Sequence, residues 1–110
     1  MRIGELAKRT GLSRDTIRFY ERNDIITGVT QACGTNRYKD YPEENLERLA
    51  MVACMKPLGF TLAECRAALD IGAKDKASRR ELAQKKLDEV EERLSELSQA
   101  RDRLRSLLEL

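Results

Sequence analysis

Ala83, Leu87, Val90, Leu94, Leu97, Leu104 and Leu108 follow one another in alternating steps of four and three, with Arg101 as the polar member of the series. That spacing lines them up along one seam of an α-helix, and its 3.5-residue period is the period of a coiled coil. A helix of about 30 residues is about 45 Å long. A chain of 110 residues cannot bury such a stripe on its own core. A second helix, most simply from a second copy of the chain, is expected to cover it, which makes the protein a homodimer through Leu87, Val90, Leu94, Leu97, Leu104 and Leu108. The alternative is an amphipathic helix folded back onto its own domain.

Upstream of this helix the pattern divides into short elements. Ile3, Leu6 and Ala7 share a helical face, and Gly11 tolerates the positive φ that ends a helix and turns the chain. Ser13 is placed to cap a second helix running from Arg14 to Arg22, with Asp15 in its first turn. Two short helices about a glycine-containing turn make a helix-turn-helix. From Asn23 to Tyr41 the helical period fades, and Gly28, Gly34, Thr27, Thr30, Val29 and Tyr38 predict a β-hairpin wing.

Pro42 is placed for the first position of a third helix, followed by Glu43 and Glu44. On that helix Leu46, Leu49, Ala50 and Ala53 form one apolar face, and Met51, Cys54, Met55 and Leu58 form another, so two neighbours are expected. Pro57 and Gly59 end it. Thr61 and Glu64 read as a capping box for a fourth helix reaching about Asp70, and Ser78 and Glu81 read as a second box that opens the long helix. The expected fold is mainly α: a winged helix-turn-helix domain over residues 1–72, a connector at 73–77, and a coiled-coil dimerisation helix over 78–110.

Composition narrows the function. The chain has no histidine, which removes the commonest general base and the commonest transition-metal ligand, so neither an enzyme nor a histidine-bearing metal site is expected. Charged residues make up 36% and aromatics 5%, which suits exposed helices. Three widely spaced cysteines, Cys33, Cys54 and Cys65, fit a reduced, cytoplasmic setting. No run approaches the roughly 18 apolar residues that cross a bilayer, so no membrane partner is expected. No cofactor is implied. The net charge of +2 leans weakly toward an anionic partner.

The basic residues are informative by position. Arg14 and Arg18 lie four apart on the second helix and Arg22 continues the row, where such a helix meets DNA. The arginine fork suits guanine edges and phosphates. Helix face and charge nominate Arg14, Thr16, Arg22, Arg37 and Lys56 as DNA contacts; a merely solvated charged face is the alternative.

Read together, Ile3-Gly4-Glu5-Leu6-Ala7, Thr10-Gly11-Leu12-Ser13 and Thr16-Ile17-Arg18-Phe19-Tyr20-Glu21 resemble the opening of MerR-family regulators. The resemblance continues through Tyr38-Lys39-Asp40-Tyr41 and Glu44-Asn45-Leu46-Glu47-Arg48-Leu49 to Leu58-Gly59-Phe60-Thr61-Leu62-Ala63-Glu64. It implies DNA contact by Arg18, Tyr20, Tyr38 and Lys39. It also implies an antiparallel coiled-coil dimer that distorts promoter DNA so that RNA polymerase can engage it. The wing departs from the family pattern, with Arg37-Tyr38-Lys39 where Gly-Tyr-Arg is usual.

Metal-sensing members of that family usually carry a cysteine near the start of the long helix, where this chain has Lys74 to Ser78, so no metal site is expected. Cys54, in Cys54-Met55-Lys56-Pro57-Leu58-Gly59, resembles the single cysteine of a thiol- or aldehyde-responsive subgroup involved in stress responses. Lys56 and Arg48 are expected near enough to assist its ionisation. Cys54 as a small core residue is the simpler alternative. Two other functions compete with promoter regulation: an excisionase-like or architectural DNA-bending factor, and a coiled-coil adaptor.

Overall fold

The computed structural model describes residues 1–31, 38–72 and 75–110. The chain divides into two units, Met1–Asp70 and Ile71–Leu110.

The first unit opens with α1, Ile3–Thr10, which closes at Gly11. Gly11 has φ 76°, and its N–H donates to the Ala7 carbonyl at 2.9 Å, the left-handed cap expected of glycine at that place. Helix α2, Arg14–Arg22, starts at Ser13, whose Oγ accepts the Thr16 N–H at 3.1 Å. Leu6 of α1 and Ile17 of α2 are fully buried. Each such side chain contributes about 1.5–3 kcal/mol on burial.

After α2 the chain folds back sharply. The N–H groups of Ile25 and Ile26 both donate to the Tyr20 carbonyl, at 3.0 and 3.3 Å, and both isoleucines enter the core. The wing strands β1, Thr30–Gln31, and β2, Lys39–Asp40, pair antiparallel with Thr30 opposite Asp40 and Gln31 opposite Lys39. The expected hairpin is therefore present at its base. Cys33, Gly34 and Arg37, which the sequence also placed in the wing, lie outside the described residues.

Helix α3, Glu44–Met55, begins two residues after Pro42, so proline is not its first helical residue. The Pro42 carbonyl accepts both the Asn45 N–H at 3.2 Å and Asn45 Nδ2 at 3.1 Å, which makes the proline a lead-in turn. The inward face also differs from expectation. Asn45, Leu49 and Val52 are buried, whereas Ala50, Ala53, Cys54 and Leu58 are exposed.

The reason is that Asn45 binds a loop. Its Oδ1 accepts the Thr27 N–H at 3.0 Å and its Nδ2 donates to the Thr27 carbonyl at 3.0 Å. Loop backbone with no strand partner needs such a side chain, because an unpaired buried amide costs about 1–3 kcal/mol. Arg48 on the same helix donates to the Ile25 carbonyl at 2.7 Å and the Asp24 carbonyl at 3.2 Å, while Asp24 holds φ 59°.

A 3-10 turn at Lys56–Leu58 follows α3, and Gly59 ends it at φ 93°. The Thr61 and Glu64 box forms in both directions, Thr61 N–H to Glu64 Oε1 at 2.9 Å and Glu64 N–H to Thr61 Oγ1 at 3.2 Å. Helix α4, Leu62–Ile71, buries Cys65 and Ala68.

The second unit is dominated by α5, Lys76–Leu108. Its cap is Asp75, not Ser78: Asp75 Oδ1 accepts the Ser78 N–H at 3.0 Å and Oδ2 accepts the Ser78 hydroxyl at 2.7 Å. Aspartate at the start of Asp75-Lys76-Ala77-Ser78 satisfies the first-turn donors three residues earlier than the expected box. Those bonds hold the Asp75 carboxyl below its usual range, the backbone bond from Ser78 contributing most. No α5 residue is buried: Leu87 is 49% exposed, Leu94 60% and Leu104 62%. Among the described residues no helix is long and apolar enough to cross a membrane.

Candidate nucleic-acid interface

Helix α2 and strand β2 meet over a cleft of about 350 Å³ lined by Arg2, Arg14, Arg18, Tyr38, Lys39 and Tyr41, with Ile3 at its edge. Four cations from three chain segments thus share one concavity. Arg14 crosses toward α1 where Gly4 leaves room: a Cβ at Gly4 would stand 3.1 Å from Arg14 Nη2. Arg2 lies over the Tyr38 ring, its guanidinium carbon 4.3 Å from the centroid, a cation-π contact.

Acids hold two of the cations in place. Arg18 Nη1 is 3.2 Å from Asp15 Oδ1, one turn back on the same helix, and both groups are open to solvent. Lys39 Nζ is 2.8 Å from Glu21 Oε2, which ties the wing to α2. The hydrogen bond from Lys39 to Glu21 raises the lysine pKa above its ordinary value, so it is fully charged at neutral pH. Tyr41 lies beneath them, and burial pushes its phenol pKa upward. Solvent-exposed pairs of this kind are weak, about 0–1 kcal/mol, and exchange readily for a phosphate partner.

Of the sequence-nominated contacts, Arg14, Arg18, Tyr38 and Lys39 come together here. Tyr20 and Lys56 do not: they line a separate groove of about 600 Å³ with Arg9, Leu12, Leu46 and Ala53 among its walls. The Thr16 hydroxyl is 2.8 Å from Ser13 Oγ and belongs to the helix cap. Arg22 is exposed in the last turn of α2. Arg37 lies outside the described residues. Sequence reasoning missed Arg2 and Glu21; neither belongs to the periodic arginine row, and only proximity across the fold reveals them.

Cys54 is exposed and Cys65 buried. Arg48 is turned onto the Asp24 and Ile25 carbonyls, which removes it as the expected neighbour of the Cys54 thiol. Burial raises the Cys65 thiol pKa. Among the described residues no group of three or more histidine, cysteine, aspartate or glutamate side chains is placed to hold a metal ion.

A helix-turn-helix whose second helix shares a cationic cleft with a two-stranded wing is a winged-helix DNA-binding module. The profile of the MerR HTH family regulatory protein matches residues 1–70, and that of MerR, DNA binding, matches residues 46–107. The chain belongs to the MerR family of DNA-binding transcriptional regulators.

It is 37% identical to the HTH-type transcriptional regulator HmrR of Rhizobium leguminosarum bv. viciae, over 98% of this chain and 84% of that protein. It is 34% identical to the HTH-type transcriptional regulator CueR of Yersinia pestis, over 99% of this chain and 79% of the relative. The crystal structure of the transcription regulator PbrR691 from Ralstonia metallidurans, in complex with lead(II), superposes with a TM-score of 0.82 at 27% identity, covering 97% of this chain and 84% of that one. The relatives are transcriptional regulators and not enzymes. They favour neither the excisionase-like nor the adaptor reading, and they give the thiol- or aldehyde-responsive subgroup no support.

Proposed function

We propose that this regulator grips a promoter as a dimer, each copy placing α2 in the major groove with Arg14 and Arg18 and closing on the adjacent backbone with Tyr38 and Lys39 of the wing. The observation that carries this reading is the single cleft joining those four side chains with Arg2. The arginines supply forked donors for base edges or phosphates, and Lys39 supplies a point charge suited to phosphate. Two linked reading heads can hold distorted DNA if their contacts exceed a deformation cost of a few kcal/mol, and RNA polymerase then engages the altered promoter. A promoter lies in the cytoplasm, and the protein acts there.

The test begins with genomic fragments retained by the full chain. Sequencing them should return a symmetric site within a promoter, and affinity for that duplex should fall steeply with salt as bound phosphates release counterions. Recovery of random sequence, or affinity indifferent to salt, overturns the reading.

The relatives favour a second point, the signal. PbrR691 was crystallised with lead(II), and kinship favours a thiophilic metal ion over an aldehyde as the effector. Cys54 is the accessible thiol among the described residues, and thiolate suits soft metals. A promoter reporter challenged with lead(II), mercury(II), formaldehyde and a thiol oxidant separates the classes; induction by formaldehyde alone overturns the metal reading. The Cys54→Ser variant in the same assay reports whether that thiol takes part.

A further inference from the structure

The seam of α5 carries one residue that an apolar zipper does not need. Arg101 occupies a core position of the heptad series, between Leu97 and Leu104. In the helix it is only loosely held: Nη2 is 3.3 Å from both Ser98 Oγ and Asp102 Oδ1, and the side chain is 57% exposed. A cation at such a position weakens a coiled coil unless a partner charge meets it, and for that reason it selects among pairings.

Each possible pairing places Arg101 differently. A parallel pair in register sets every seam residue beside its own copy, so two Arg101 guanidiniums share one layer. Antiparallel pairs avoid this, and three registers one heptad apart keep the apolar layers in phase. One sets Arg101 opposite the partner's Ala83, beside the partner's Gln84 and Arg80, and leaves Leu104 facing the partner's Arg80. Another sets Arg101 opposite the partner's Leu97, which brings the two arginines into adjacent layers about the axis.

The third register pairs Leu94 with the partner's Leu97, Leu87 with the partner's Leu104, and Ala83 with the partner's Leu108. Arg101 then faces the partner's Val90, and the flanking position is the partner's Glu91. Charge complementarity is met in this register: Lys86 takes Glu89 at 2.8 Å and Arg93 takes Glu96 at 3.8 Å within one helix, whereas Glu91 has no ion pair among the described residues.

We propose that Arg101 sets the orientation and register of an α5 pair by meeting Glu91 of the partner subunit, in an antiparallel arrangement whose two-fold axis passes between Leu94 and Leu97. The proposal rests on the dimer reading above. The occupant of the exposed α5 seam is a second copy of this chain, and two symmetric Arg101 to Glu91 pairs flank its centre.

The test is charge exchange in the full chain, read by sedimentation equilibrium, with circular dichroism confirming that each variant is helical. Arg101→Glu and Glu91→Arg alone should each weaken the dimer about tenfold or more, since each converts two attractive pairs into two repulsive ones. The double variant Arg101→Glu/Glu91→Arg should return to near wild-type affinity. In a parallel pair the single Arg101→Glu variant would not weaken the dimer in this way, because it only exchanges one like-charge layer for another. Failure of the double variant to recover, or recovery instead with Arg101→Glu/Gln84→Arg, overturns the assigned register. A wild-type chain that stays monomeric at all concentrations overturns the dimer reading itself.

Discussion

Lys39 Nζ on the wing strand stands 2.8 Å from Glu21 Oε2 near the end of α2, joining two elements of the DNA-binding unit across 18 residues of chain. The contact both positions the lysine and competes with DNA for it. Lys39→Ala should weaken all duplexes alike and reduce the salt slope by about one unit, whereas Glu21→Gln, which releases the lysine and removes an acid from the cleft, should tighten binding. Because the folded pKa of Lys39 is raised, the pair's stabilisation is complete below the unfolded value of 10.5 and is lost only as pH rises through the folded one. Changes in DNA affinity between pH 6 and 9, roughly the range around neutrality in which an unperturbed lysine keeps its charge, therefore do not come from Lys39. Fluorescence anisotropy against salt and pH checks each point.

Arg18 is the side chain expected to read sequence. Arg18→Ala should cost about 1–3 kcal/mol on the cognate duplex if it forks onto a base edge, and relax selection at that base. If it holds a phosphate, the loss is uniform across sequences and the salt slope flattens. Competition with single-base variants distinguishes the two, and unchanged affinity in a folded dimer removes Arg18 from the interface.

Leu94→Asp should abolish dimerisation, because it sets a charge into the centre of the proposed seam. Since operator affinity depends on two linked heads, binding should fall with it. A dimer of native size in sedimentation would show that the α5 seam is not the interface.

Asn45→Ala should destabilise the first unit by about 2–4 kcal/mol, as it leaves the Thr27 N–H and the Thr27 carbonyl without their side-chain partner. Thermal unfolding reads the loss. Asn45→Leu, similar in size and equally unable to bond, should not restore stability; recovery would mean the site needs volume and not hydrogen bonds.

The start of α5 should be sensitive to acid. The Asp75 carboxyl titrates below 3.8 in the folded chain, so its contribution is complete above that value and is lost as pH falls through the lowered one. Helicity by far-ultraviolet circular dichroism should show a step in that window that Asp75→Ala lacks. An unchanged step in the variant would assign it to other carboxylates.

Elements governed by neighbours three or four residues apart were legible in the chain itself. Gly11 ends α1, Ser13 caps α2, Thr61 and Glu64 close on each other, and the stripe of α5 follows directly from its spacing. These depend on local backbone donors and helical period, which any window of the sequence contains. The inward face of α3 was not legible. Asn45 and Val52 are buried and Ala50 and Ala53 are not, because the face is chosen by loop backbone groups at Thr27 and Ile25 that require Asn45 and Arg48. The same holds for Arg2 over Tyr38 and Glu21 against Lys39. Sequence period orders the residues along a helix, but only the packed chain decides which distant polar groups must be satisfied and which side chain is within reach to do it.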